Sequence, residues 1–167
     1  MAGATEKLHK LLGLLPQAVR RRLTQRIFRL TRALTLGVRG MVFDEEGRIL
    51  LVRHTYQPGW LLPGGGVEFR DSAEGALRHE LLDEAGIEIV ERPQLFGIYD
   101  NRATFPGDHV LLYVLRPGQY VRHPWRPNAE IAGMGFFAPD DLPPDTGAGA
   151  RRRIAEVLEG RPPSVQW

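Results

Sequence analysis

Apolar residues recur along the chain with two different periods, and the change of period divides it. Over residues 4–34 the spacing is helical, with Pro16 splitting the run because proline disrupts a helix interior. In the second piece Val19, Leu23, Ile27, Leu30 and Leu34 fall on one stripe, with arginines over much of the rest. The first piece carries Leu8, Leu11, Leu12, Leu14 and Leu15 over a wide apolar arc. Beyond residue 35 short strand-like runs replace this pattern. Strands are predicted over 36–43 and 48–54 around a turn at 44–47, and then over 87–90, 94–100, 109–115 and 133–137. Residues 117–128 read as a polar loop. Helices are predicted over 72–85 and 149–158, the second after the break at 140–144. Asp71 is placed to cap the first of these, with Glu74 completing a capping-box-like pair, and Gly86 to end it in a left-handed conformation. Mixed strands with a few helices predict an α/β or α+β fold around one central sheet.

Charge follows the same division. Residues 1–35 hold eight Lys/Arg against one acid, Glu6, whereas the rest holds 14 Lys/Arg against 19 Asp/Glu. A basic amphipathic extension (1–35) therefore precedes an acidic domain (36–160), and residues 161–167 form a short C-terminal tail. The plainest reading of the extension is a helix docked on the domain or on a second copy of the chain, giving a homodimer. Contact with an anionic membrane surface or with nucleic acid, and an organelle transit peptide, are the other readings that an Arg-rich amphipathic segment admits. Cysteine is absent, which excludes disulfides, thiolate zinc sites and cysteine nucleophiles and fits a reducing cytoplasm. No run approaches the roughly 20 apolar residues that span a bilayer.

The candidate chemistry lies in residues 65–87. On the helix over 72–85, Glu80, Asp83 and Glu84 fall within roughly 100° of arc, so three carboxylates crowd one face. Such like charges repel, and a hard divalent cation relieves the repulsion. A solvated acidic face is the plainer reading of such a helix in isolation. Here Leu77 and Leu81 supply an apolar face beside the acids, and Gly64, Gly65 and Gly66 precede the helix where backbone approaches a ligand.

Taken together, Gly65, Asp71, His79-Glu80-Leu81, Asp83-Glu84 and Gly86-Ile87 resemble the Nudix box. The spacing matches Gly, five residues, Glu, seven residues, Arg-Glu-aliphatic, one residue, Glu-Glu, one residue, Gly-aliphatic. Three positions depart, with Asp71, His79 and Asp83 standing where that box has Glu, Arg and Glu. The resemblance implies a Nudix-type α/β/α sandwich with a mixed sheet, and hydrolysis of a phosphoanhydride bond in a nucleoside diphosphate linked to another moiety. Nucleoside triphosphates, ADP-ribose-like sugars and dinucleoside polyphosphates all belong to that class. The implied cofactor is magnesium, with manganese as the alternative. The implied metal ligands are Glu80, Glu84 and the Gly65 carbonyl, with Asp83 an outer ligand. Asp71 and His79 are expected to support each other and the loop. The alternative function is a non-catalytic or weakly active domain that binds a nucleotide as a sensor or interaction module.

Outside the box, Glu130 is the candidate general base, with a solvated loop carboxylate as the equal alternative, and Glu68 is a weaker candidate. Arg53 is a candidate phosphate ligand, and Tyr56, Trp60 and Phe105 are candidates for stacking on a base, each with ordinary packing as the alternative. His54, His109 and His123 have no metal-ligand spacing and are read as structural.

Overall fold

Alternation along the strands builds a sheet that is apolar on both faces. The computed structural model describes residues 34–167. Among these the elements run β1 (Thr35–Val42), β2 (Ile49–His54), α1 (Ala73–Ala85), β3 (Ile87–Ile89), β4 (Gln94–Asp100), β5 (Asp108–Leu115), β6 (Tyr120–Arg122), β7 (Ile131–Phe137) and α2 (Ala148–Leu158). Residues of one parity, Val38 and Val42 of β1, Leu50 and Val52 of β2, and Leu111, Tyr113 and Leu115 of β5, form a core with Leu77, Leu81 and Ala85 of α1. Residues of the other parity, Met41, Ile49, Leu51, Leu112 and Val114, pack with Ala150 and Ile154 of α2. One helix thus covers each face, giving the expected α/β/α sandwich.

In place of one continuous sheet there are three ladders. β5 lies parallel to β1 and antiparallel to β4, β2 pairs antiparallel with β7, and β3 pairs antiparallel with β6. What separates β1 from β2 is the segment 61–67, which bonds to both. Leu61 exchanges backbone hydrogen bonds with Val52 at 2.9 Å, while the Pro63 and Gly65 carbonyls accept from Gly40 and Val38, each at 2.9 Å. Pro63 has no N–H and the glycines have no side chains to pack, so this segment bridges the strands without becoming one.

Several boundaries move for local reasons. The cap of α1 is Ser72, whose Oγ accepts from Gly75 N–H, and not Asp71. Glu74 does not close a capping box; its carboxylate pairs with Arg92 at 2.7 Å. Gly86 ends the helix at φ 64°, as expected, and a Cβ there would press on the His123 carbonyl. β6 falls inside the expected loop 117–128, being too short for alternation to reveal; it is held by β3 and by the Tyr120 hydroxyl donating to the Phe43 carbonyl at 2.9 Å.

The tail over 161–167 is built into the domain. Asp100 N–H donates to the Val165 carbonyl at 2.8 Å and Trp167 N–H to the Asp100 carbonyl at 3.0 Å. The Trp167 ring meets Tyr99 edge-on, and the buried Arg153 guanidinium lies 4.4 Å over the Tyr99 ring while pairing with Glu156 at 2.8 Å. Thr35 opens β1 opposite Asp108. Thr35, the last residue of the expected helical extension (1–35), is thus a strand residue, and residues 1–33 lie outside those described. No helix among the described residues is long and apolar enough to cross a membrane.

The two adjacent leucines of α1 test this packing. Leu81 is fully buried and Leu82 is 44 % exposed. Leu81→Ala is expected to cost about 2–5 kcal/mol in urea unfolding and Leu82→Ala less than about 0.5 kcal/mol.

Candidate active site

At about 100° per residue, Glu84 lies on the same side of Glu80 as Leu77 and Leu81, and Asp83 lies on the opposite flank. The three carboxylates therefore do not share one environment. Glu84 is 3 % exposed, and its Oε2 accepts from Gly64 N–H at 2.7 Å. Burial pushes its pKa up to about 7, against the lowering effects of the Gly64 hydrogen bond and Arg39. Glu80 is half-buried and is also shifted upward, chiefly by burial. Its carboxylate lies so close to Gly65 that a Cβ on that glycine would overlap it. Gly65 is therefore required for close approach, and its carbonyl already accepts from Val38 N–H.

These groups line an open cavity of about 440 Å³, a size that suits a small ligand. Arg39, His54, Tyr56, Glu80, Glu84 and Glu130 contribute to its wall, together with the glycines 64–66. Glu130 arrives from just ahead of β7. Its N–H and that of Ile131 donate to Asn128 Oδ1 at 2.9 and 2.8 Å, and its carbonyl accepts from Thr55 N–H at 2.8 Å. Tyr56, 67 % exposed, stands over it with its hydroxyl 3.5 Å from Glu130 Oε1. At another part of the wall Asp108 accepts from Thr35 Oγ1 and from Asn101 Nδ2, both at 2.7 Å.

Of the residues singled out from sequence, Gly65, Glu80, Glu84, Glu130 and Tyr56 come together in this cavity. Arg53, Trp60, Asp83, Glu68 and Phe105 do not line it. Arg53 is exposed and covers the Trp60 ring at 5.5 Å, and Trp60 packs edge-on against Phe137 in the core beneath α2. Asp83 is exposed, and its carbonyl accepts from Trp125 Nε1 at 3.1 Å. Asp71 and His79 are both exposed, and no hydrogen bond or ion pair joins them. His79 lies on the same flank of α1 as Asp83, turned further from the buried leucines, which is why it does not reach inward.

Two residues of the site escape a reading by spacing. His54 ends β2, and Arg39 sits in the middle of β1. A register shift between Arg53 and His54 leaves Ala132 of β7 without a partner, so a bulge marks the place where His54 meets the site. His54 is 5 % exposed, and its Nε2 lies 3.5 Å from Glu84 Oε1. Ligand atoms of His54, Glu84 and Glu130 lie within 4.8 Å of one another. Arg39 is half-buried, and its Nη1 is out of solvent with no hydrogen-bond partner. Burial lowers its pKa, opposed by Glu84 and then Glu80. An arginine inside the apolar run 36–43 was the one available hint. His109 and His123 stay outside the cavity, the latter paired with Glu88 at 2.6 Å.

The donors fit a divalent cation. Two carboxylates are driven upward by burial, Arg39 compensates them without a hydrogen bond, and the backbone leaves room at Gly65. A glycine turn set against a carboxylate-bearing helix thus gives a cavity wall able to hold a divalent cation beside a small ligand.

Residues 33–158 match the NUDIX domain, and the chain belongs to that family of pyrophosphohydrolases. It is 30 % identical over 132 residues to a MutT-like protein of Streptomyces ambofaciens, covering 79 % of this chain and 82 % of that one. It is 27 % identical over 114 residues to the 8-oxo-dGTP diphosphatase of Escherichia coli (strain K12), covering 63 % and 84 %. The MutT NUDIX hydrolase of Burkholderia pseudomallei superposes with a TM-score of 0.63 at 26 % identity, over 74 % of this chain and 97 % of that one.

The raised pKa of Glu84 has a sign that can be tested. Its folded pKa exceeds the ordinary 4.5, so the stability it contributes is present at low pH and is lost as pH rises through about 7. In chelator, Glu84→Gln is expected to be more stable than the parent at pH 8, by up to roughly 3 kcal/mol. The advantage should shrink as pH falls toward 5. Thermal denaturation across that range measures it, and an advantage independent of pH contradicts the assignment.

Proposed function

We propose that this protein hydrolyses a phosphoanhydride bond in a nucleoside diphosphate linked to a further phosphate or sugar moiety, with magnesium held by Glu80 and Glu84. The single observation that carries the reading is the pair of partly desolvated carboxylates, Glu80 and Glu84, set against Gly65 and Gly64 at the cavity wall. The Gly65 carbonyl supplies a further oxygen through its second lone pair. A cation held by these residues would supply charge to neutralise diphosphate oxygens and to make water a better nucleophile. Manganese is the alternative ion of the same coordination chemistry.

The chain's own groups do the rest. Arg39 contributes to the cavity wall, where its guanidinium charge balances Glu84 and Glu80 and favours a bound diphosphate. Glu130 is exposed at the rim with a carboxylate oxygen near the Tyr56 hydroxyl, a position suited to take a proton from the attacking water. Tyr56 offers an exposed ring on which a base stacks. Arg53, Trp60 and Asp83 have no part in this reading, because they do not line the cavity. Nucleoside triphosphates are the first substrates to try, since the Escherichia coli relative is an 8-oxo-dGTP diphosphatase. A reducing cytoplasmic setting is the one that a cysteine-free composition suits.

The test is phosphate or nucleotide release from a panel of nucleoside triphosphates, 8-oxo-dGTP, ADP-ribose and dinucleoside polyphosphates. Turnover is expected with magnesium and not with chelator. Glu80→Gln and Glu84→Gln should each lower kcat by a factor on the order of a thousand, reflecting several kcal/mol of lost transition-state stabilisation. Arg39→Gln should lower kcat/KM on the order of a hundredfold. Binding of a nucleotide with no turnover on any member of the panel would establish the sensor reading instead.

A further inference from the structure

A buried histidine in a purely structural role satisfies at least one ring nitrogen, usually with a backbone carbonyl or a carboxylate. His54 satisfies neither. It is 5 % exposed, and both Nδ1 and Nε2 lack a hydrogen-bond partner. Its nearest acid oxygen, Glu84 Oε1, lies 3.5 Å from Nε2, beyond a good hydrogen bond. That spacing is instead compatible with two donors on one ion, since ligands about 2.0–2.2 Å from a metal stand roughly 3 Å apart or more. Glu130 brings a third ligand atom, all three lying within 4.8 Å of one another.

We propose that His54 is a nitrogen ligand of the divalent site, completing it with Glu84 and Glu130, and that it biases the site toward first-row transition ions over magnesium. The inference rests on reading the cavity as a divalent-cation centre. Magnesium takes oxygen donors, whereas an imidazole nitrogen strengthens binding of ions further along the transition series. Charge is favourable, since among the described residues that line the cavity Glu80, Glu84 and Glu130 outnumber the guanidinium of Arg39. The bulge at Arg53/His54 supplies the reason that a strand residue is delivered to this place. Glu130 keeps its second oxygen for the water it is assigned above.

The experiment uses the full chain, manganese as the probe and no substrate. Manganese bound to the parent protein should show nitrogen hyperfine coupling in pulsed electron paramagnetic resonance, and His54→Phe should abolish it. Calorimetric titration should show manganese affinity falling about tenfold or more in His54→Phe, with magnesium affinity changing much less. His54→Gln, which keeps a polar group in the wall, is measured beside it, and circular dichroism establishes that the variants fold. Manganese binding to the parent without nitrogen coupling overturns the histidine ligand and leaves the carboxylate centre standing. Coupling that persists in both variants overturns it too. Failure of the parent to bind either ion overturns this inference and the metal reading together.

Discussion

The hydrogen bond from Gly64 N–H to the buried carboxylate of Glu84 is the contact around which the site is arranged. It joins the turn 61–67, already bonded on one side to β1 and on the other to β2, to the helix α1. A carboxylate taken out of water at this depth is costly, as its raised pKa records. One backbone donor offsets only part of that cost. The helix is nonetheless held in place, because Leu77 and Leu81 on the neighbouring face anchor it in the core. Apolar burial therefore holds an acid where the acid alone would not stay, a local conflict of the kind that marks functional sites.

The same segment explains the broken sheet. Regular pairing of β1 with β2 would leave no place for a glycine turn between them. With Pro63 and three glycines inserted there, the ladder becomes a bridge and the backbone N–H of Gly64 turns to the helix. The sheet gives up continuity and gains a cavity wall without side chains, against which Glu80 lies in contact with Gly65. The α/β/α layering survives because each face of the sheet keeps its own helix.

The C-terminal tail is fixed by different physics. Arg153, buried beneath the tail, pairs with Glu156 and donates to the Gln166 carbonyl and to Ser164 Oγ, while its guanidinium lies over Tyr99. This ties α2, the edge strand β4 and residues 164–167 into one unit. Trp167 consequently reaches the rim of the candidate cavity, to which the pattern of a short polar tail offers no pointer.

Much of this was legible in the sequence. The apolar runs that hold Val38, Met41 and Val42, and then Ile49, Leu50 and Leu51, mark buried strands. The positions of Leu77, Leu81, Glu80 and Glu84 on one helix are set by a period of 3.6 residues. The box spacing over 65–87 identified the family for the same reason, since a turn and the helix after it are local structure. Asp83 shows the limit of that reasoning, because an arc on a helix does not say which of its edges faces the core. Arg53 and Trp60 do not line the cavity, and their position along the chain carried no sign of which side of the sheet they would serve. Only the tertiary structure decided that His54, Glu84 and Glu130 meet around one cavity with Arg39. They come from separate elements far apart in the chain, and their meeting is set by sheet pairing and a bulge, which no short-range spacing encodes.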